Sequence, residues 1–185
     1  MTNRCIIVVD YQFDFASPKG TLYVKDGETL QEKINTVTRT QKQQGAFIIV
    51  SRDWHPAKHS SFLEYGGQWP AHCVAGLGGA ELYFEDDYVD MVINKGKDTA
   101  QDEYSCIING RIRDFVLSFD EVYIFGLAGD FCVKNTILSL VDKDNLENNK
   151  KLFFVEGLTK DVFPQKHTEL IRELASYNIN IINSL

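Results

Sequence analysis

Six short apolar runs punctuate the chain: Cys5–Val9, Phe47–Val50, Met91–Ile93, Val122–Phe125, Leu152–Val155 and Ile179–Ile182. They are rich in Ile, Val and Phe and almost continuous, which is the pattern of strands buried on both faces. Between them the apolar positions recur at helical spacing. Leu30, Ile34, Val37 and Gln41 share one face, with Gly45 as a stop. Ile108, Ile112, Phe115 and Val116 form a second stripe, Val133, Ile137, Leu140 and Val141 a third, and Leu170, Ile171 and Leu174 a fourth, with Pro164 just ahead of it. Strand and helix alternate, so the pattern predicts an α/β fold: a Rossmann-like three-layer α/β/α arrangement with a six-stranded, mainly parallel sheet. Crossovers are expected to be right-handed.

Residues 51–90 break the rhythm. About 40 residues with little periodicity separate the second and third strands, and a loop of that length in a compact domain usually serves function. It carries three of the four histidines, both tryptophans and five glycines. We expect a single domain over residues 1–185, with 51–90 inserted to build a site. The 185 residues are enough for a substantial core without disulfides. Cys5, Cys73, Cys106 and Cys132 are too widely spaced for a CxxC motif or a dense disulfide framework, so a reduced, cytoplasmic protein is expected. The net charge of −7 argues against nucleic acid. No apolar run approaches the roughly 18 residues needed to span a membrane, and the N-terminal run is too short for a signal peptide.

Ligands in open α/β sheets bind at the carboxyl ends of the strands. Asp10 ends the first strand; Ser51, Arg52 and Asp53 follow the second, with His55 just beyond; Lys95-Gly96 ends the third; Glu156-Gly157 ends the fifth. The fourth passes through Gly126 and Gly129 to Cys132, which opens the next helix. A thiol there feels the helix dipole, which favours thiolate, and free N–H groups of that turn suit an oxyanion. The competing reading is a buried structural cysteine, which is retained for Cys5, Cys73 and Cys106. Asp10 and Lys95 are either a buried ion pair or, with Cys132, a base and its charge partner. Asp53 and His55 fall at i and i+2 on one side of an extended segment, and His59 and His72 are both candidates for a third ligand. Such a donor set suits Zn²⁺, Fe²⁺ or Mn²⁺. His167, in the last helix, reads as a surface residue.

At this point VVDYQFDF (8–15), RDWHPAKHSSF (52–62), WPAHCVAG (69–76), NKGKDTAQDEYS (94–105) and GLAGDFCV (126–133) can be taken together. Over nearly its whole length the chain resembles the nicotinamidases, also called pyrazinamidases, of the isochorismatase-like cysteine hydrolases. The resemblance implies Asp10, Lys95 and Cys132 as a catalytic triad and Asp53, His55 and His72 as ligands of one divalent transition metal, Zn²⁺ foremost. It implies Phe15, Trp69 and Tyr104 as the lining of a small pocket and the N–H groups of Ala128 and Cys132 as the oxyanion hole. The Leu127–Ala128 peptide falls where the family has a cis non-proline bond. The segment between His59 and His72 sometimes supplies a fourth ligand in the family, for which His59 and Glu64 both stand available. Gly129 departs from the family's frequent Thr.

The implied activity is hydrolysis of nicotinamide to nicotinate and ammonia through a cysteine thioester, in NAD salvage, with pyrazinamide deamidated likewise. The implied partner is a small molecule, with a homo-oligomer left open. A relative acting on carbamoyl or ureido amides would keep the triad but lose or modify the metal loop. A non-catalytic α/β scaffold would be expected to lose a triad member, and no GxGxxG after the first strand invites a dinucleotide.

Overall fold

The computed structural model describes residues 2–185. Six strands form one sheet: β1 (Arg4–Val9), β2 (Phe47–Asp53), β3 (Met91–Lys95), β4 (Glu121–Leu127), β5 (Leu152–Lys160) and β6 (Asn180–Ile182). Their order is β3-β2-β1-β4-β5-β6, and every pairing is parallel. The helices are the short α1 (Phe13–Ala16), α2 (Gln31–Gln43), α3 (Gly110–Leu117), α4 (Lys134–Leu140) and α5 (His167–Ser176). None of them is long and apolar enough to cross a membrane.

The continuous apolar runs are explained by layers on both faces of the sheet. Along β1, Cys5, Ile7 and Val9 pack with Val116 of α3, Ile137 and Leu140 of α4, and Leu170 and Leu174 of α5. The intervening Ile6 and Val8 pack with Leu30 and Ile34 on the α2 side. Each fully buried side chain of this kind contributes roughly 1.5–3 kcal/mol of transfer free energy. Local signals set the helix ends. Asn109 accepts the Ile112 N–H and caps α3. The Arg113 guanidinium reaches the carbonyls of Ser139, Leu140 and Val141 and satisfies the C-terminal end of α4.

Several boundaries differ from the periodicity. Ile108 lies outside α3 and is exposed, because the helix begins only after the Asn109 cap. Residues 51–53 belong to β2, not to the insertion. The rest of the insertion is held by 3₁₀ turns at Leu63–Tyr65 and Gly78–Ala80 and by isolated bridges pairing His55 with Val74 and Phe62 with Trp69.

The chain winds outward from β1 to β3, then returns to place β4 on the other side of β1. The switch point therefore lies between β1 and β4, where a crevice opens beyond the strand ends.

His167 is not a free surface residue. It begins α5 half-buried, with Nδ1 2.5 Å from Asp161 Oδ2 and Nε2 3.0 Å from Glu156 Oε1. Burial works against its charge, but the two carboxylates outweigh this and raise its proton affinity.

Two measurements test this packing. Ile7→Ala removes a wholly buried side chain from the central strand and should cost about 2–5 kcal/mol in denaturant unfolding. A group whose pKa is raised by folding adds stability below its unfolded value, about 6.5 for histidine, and loses it as pH rises through the folded value. His167→Ala should therefore lower the urea midpoint more at pH 6 than at pH 9; equal losses would show that the imidazolium is not what the carboxylates hold.

Candidate active site

At the end of β1 the chain turns sharply: Asp10 has a φ of 46°, and its side chain is wholly buried. One carboxylate oxygen accepts the Ser51 hydroxyl at 2.6 Å, and the other lies 2.8 Å from Lys95 Nζ. Lys95, the last residue of β3, is also wholly buried. Its ammonium additionally pairs with the Asp53 carboxylate, donates to the Glu103 carbonyl at 3.1 Å, and approaches Cys132 Sγ at 3.5 Å. Lys95 thus touches the other two residues of the expected triad and one expected metal ligand at once.

Cys132 lies in a π turn, Gly129–Val133, that leads from β4 into α4. The peptide before it, Leu127–Ala128, is cis. Burial pushes the Cys132 thiol well above its usual range; Lys95 pulls the other way, while Asp10 and Asp53 reinforce burial. Desolvation beside two carboxylates thus opposes the helix-start dipole that favours thiolate. Burial also raises Asp10, with Lys95 opposing it. Lys95 itself is held well above its ordinary value, because Asp10 and Asp53 overcome the desolvation that would neutralise it.

Asp53, His55 and His72 come together, each offering a ligand atom within 4.8 Å of the others. Nε2 of His55 lies 3.6 Å, and that of His72 4.0 Å, from Asp53 Oδ2. Nδ1 of His55 donates to the Gly96 carbonyl at 2.9 Å and Nδ1 of His72 to the Pro70 carbonyl at 2.7 Å. A carbonyl only accepts, so both rings carry a proton on Nδ1 and turn Nε2 toward Asp53. That is how ligating histidines are usually oriented, and the donor set fits a divalent transition metal. The close approach of the turn requires glycine at 96, where φ is +64° and a Cβ would meet His55 Cε1 at 2.4 Å.

His59 is differently placed. Its Nδ1 pairs with the Ser61 hydroxyl and its Nε2 with the Gln101 carbonyl, so neither nitrogen faces the cluster. Its ring packs on His55 with centroids 4.1 Å apart. Glu64 is exposed in the Leu63–Tyr65 turn. Asp10, Asp53 and Cys132 also converge, but the cation among them is Lys95.

Phe15, Trp69 and Tyr104 all line a small cavity that reaches Asp53, His72, Ala128 and Cys132. Trp69 Nε1 donates to the Tyr104 hydroxyl at 3.2 Å. Leu22, Val24, Phe131 and Val162 complete the apolar wall. Sequence reasoning passed over these four. Phe131, next to Cys132, was the most accessible of them, and its ring meets both Trp69 and Tyr104. Val162 was hidden because β5 runs on to Lys160, so Glu156-Gly157 is not the strand end facing the site. Gly129 has no room for a side chain: a Cβ there would fall 2.1 Å from Asp161 Oδ1.

Comparison with known proteins agrees with this geometry. The chain is 30% identical to the nicotinamidase of Saccharomyces cerevisiae, covering 97% of this chain and 99% of that protein. The pyrazinamidase of Pyrococcus horikoshii, solved in complex with zinc, superposes with a TM-score of 0.87 at 32% identity, covering 97% of this chain and 98% of that one. PnC1 from L. infantum, solved in complex with nicotinate, gives 0.84 at 30%, covering 98% and 92%. The isochorismatase domain model matches residues 4–184, and on that span the chain belongs to the isochorismatase family.

Proposed function

We propose that this protein hydrolyses nicotinamide to nicotinate and ammonia, and pyrazinamide likewise. The observation that carries the reading is Lys95, which joins a base and a thiol to a metal-type cluster at the floor of an aromatic pocket. A divalent metal, zinc in this reading, would be held by Asp53, His55 and His72 and would supply a Lewis-acidic position for a pyridine nitrogen.

The residues of the chain then divide the chemistry. Phe15 and Trp69 flank the flat ring and exclude water, and Tyr104 accepts the indole proton that fixes the Trp69 plane. Asp10 takes the proton of Cys132, and the thiolate adds to the carboxamide carbon. The N–H groups of Ala128 and Cys132 hold the resulting oxyanion. Asp10 returns the proton to nitrogen, the C–N bond breaks, and ammonia leaves a thioester on Cys132. Asp10 next deprotonates a water that attacks the thioester; nicotinate departs and the thiol is restored. Ser51 and Lys95 keep the Asp10 carboxylate in place through both halves. The four unpaired cysteines support a reducing, cytoplasmic setting, as NAD salvage would have.

Two assays test the scheme. Cys132→Ala should lower turnover by about 10³-fold or more while leaving the denaturation midpoint within error; near-normal activity would overturn it. Benzamide has the same ring shape without the nitrogen. It should be a very poor substrate, and a chelator should depress its hydrolysis much less than that of nicotinamide. Equal loss on both substrates, in step with a fall in thermal stability, would instead make the metal a brace for the long loop.

A further inference from the structure

The turn that follows β1 carries two buried polar side chains with no part in the chemistry above, Gln12 and Asp14. In the β1–β2 register, Val8 faces Val50, and the ladder continues with the Asp10 N–H donating to the Ser51 carbonyl. One step further, β1 has left the sheet, and Asp53 has lost the main-chain partner that the register would have given it. The Gln12 side-chain amide takes that partner's place. Its Nε2 donates to the Asp53 carbonyl at 2.8 Å, and its Oε1 accepts the Asp53 N–H at 2.8 Å. The second Nε2 proton goes to the Ala80 carbonyl at 2.9 Å, which ties in the far end of the insertion. Both amide protons are used, so the side chain has one orientation.

Asp14 does the corresponding work for the histidines. Its Oδ2 accepts the N–H of Cys73 at 2.8 Å, and its Oδ1 accepts that of Thr21 at 3.1 Å. Cys73 follows His72 directly and holds a φ of 44°, in the left-handed region where a non-glycine residue needs support. Its carbonyl accepts the His55 N–H at 3.0 Å. A single residue therefore connects both histidine backbones, and Asp14 anchors it.

We propose that Gln12 and Asp14 are positioning residues for the metal site, Gln12 acting through the backbone of Asp53 and Asp14 through Cys73 on His55 and His72. Because Asp10 and Phe15 belong to the same short segment, the turn also sets the spacing between base, pocket wall and metal. The inference rests on the metal reading given above.

The test is zinc affinity of the metal-stripped protein, measured by competition with a chromogenic chelator, alongside the thermal midpoint of the same metal-free samples. Gln12→Met keeps the volume and loses all three hydrogen bonds; Asp14→Asn keeps the shape and weakens the grip on Cys73. Removing partners that orient metal ligands typically costs 10- to 100-fold in affinity, so a loss of about that size is expected for Gln12→Met and about tenfold for Asp14→Asn. KM for nicotinamide should rise by a larger factor than kcat falls. If Gln12→Met does not fold, the isosteric Asp14→Asn carries the test. Zinc affinities within twofold of wild type, with the metal-free midpoint lowered, would overturn the proposal and leave the two residues as fold supports. A wild-type protein that binds no zinc would overturn the metal reading and this inference with it.

Discussion

A buried ammonium organises this molecule. Lys95 has no access to solvent, and it lies against the carboxylates of Asp10 and Asp53. Taking such charges out of water costs several kcal/mol per ion even after relaxation, and mutual attraction only partly offsets that. The remaining compensation comes from fixed dipoles: the Ser51 hydroxyl on Asp10, the Glu103 carbonyl on Lys95, and the histidine rings beside Asp53. These groups come from the ends of β1, β2 and β3 and from the loops beyond them. The sheet order must therefore be as it is for the charges to be tolerated at all. An apolar trio in the same space would stabilise the fold at least as well, so the arrangement points to chemistry rather than to stability.

The same lysine explains why the two halves of the site are neighbours. In the proposed scheme Asp10 is the base, and burial raises its proton affinity above that of an ordinary carboxylate. Asp53, as the proposed metal ligand, must stay ionised. Burial opposes that, but Lys95 and the two histidines hold it below the usual carboxylate range. Two aspartates that share one cation are thus driven in opposite directions by the rest of their surroundings. In the proposed scheme one carboxylate moves protons while the other holds a charge.

Much of this was readable from residue order alone. Six apolar runs and four stripes sufficed for the parallel sheet, because strands covered on both sides leave no polar alternation to confuse the pattern. Asp10, Asp53, Lys95 and Cys132 stood out because each follows such a run, and the rim of a parallel sheet gathers whatever follows its strands. What escaped depends on distances that the chain order does not encode. Nothing in the sequence shows that β5 extends to Lys160, so Val162 was not a candidate wall residue. The ring of His59 looked as good a ligand as that of His72 until its two nitrogens were found on Ser61 and Gln101. The depth at which Cys132 sits also escaped, because a helix-start position is visible in sequence, whereas burial beside Asp10 and Lys95 is not.

The tight fit between Gly129 and Asp161 constrains how this sequence can drift. Gly129 is barred from a side chain by the Asp161 carboxylate, which fills the space where the Cβ would lie, and not by its own backbone angles. A methyl at 129 would need both the Asp161 carboxylate and the Thr159 methyl to give way, three residues from Cys132. Asp161 is also the partner of His167, so moving it disturbs the anchor at the start of α5. The space at this turn is thereby coupled to a helix start that has no part in the proposed reaction.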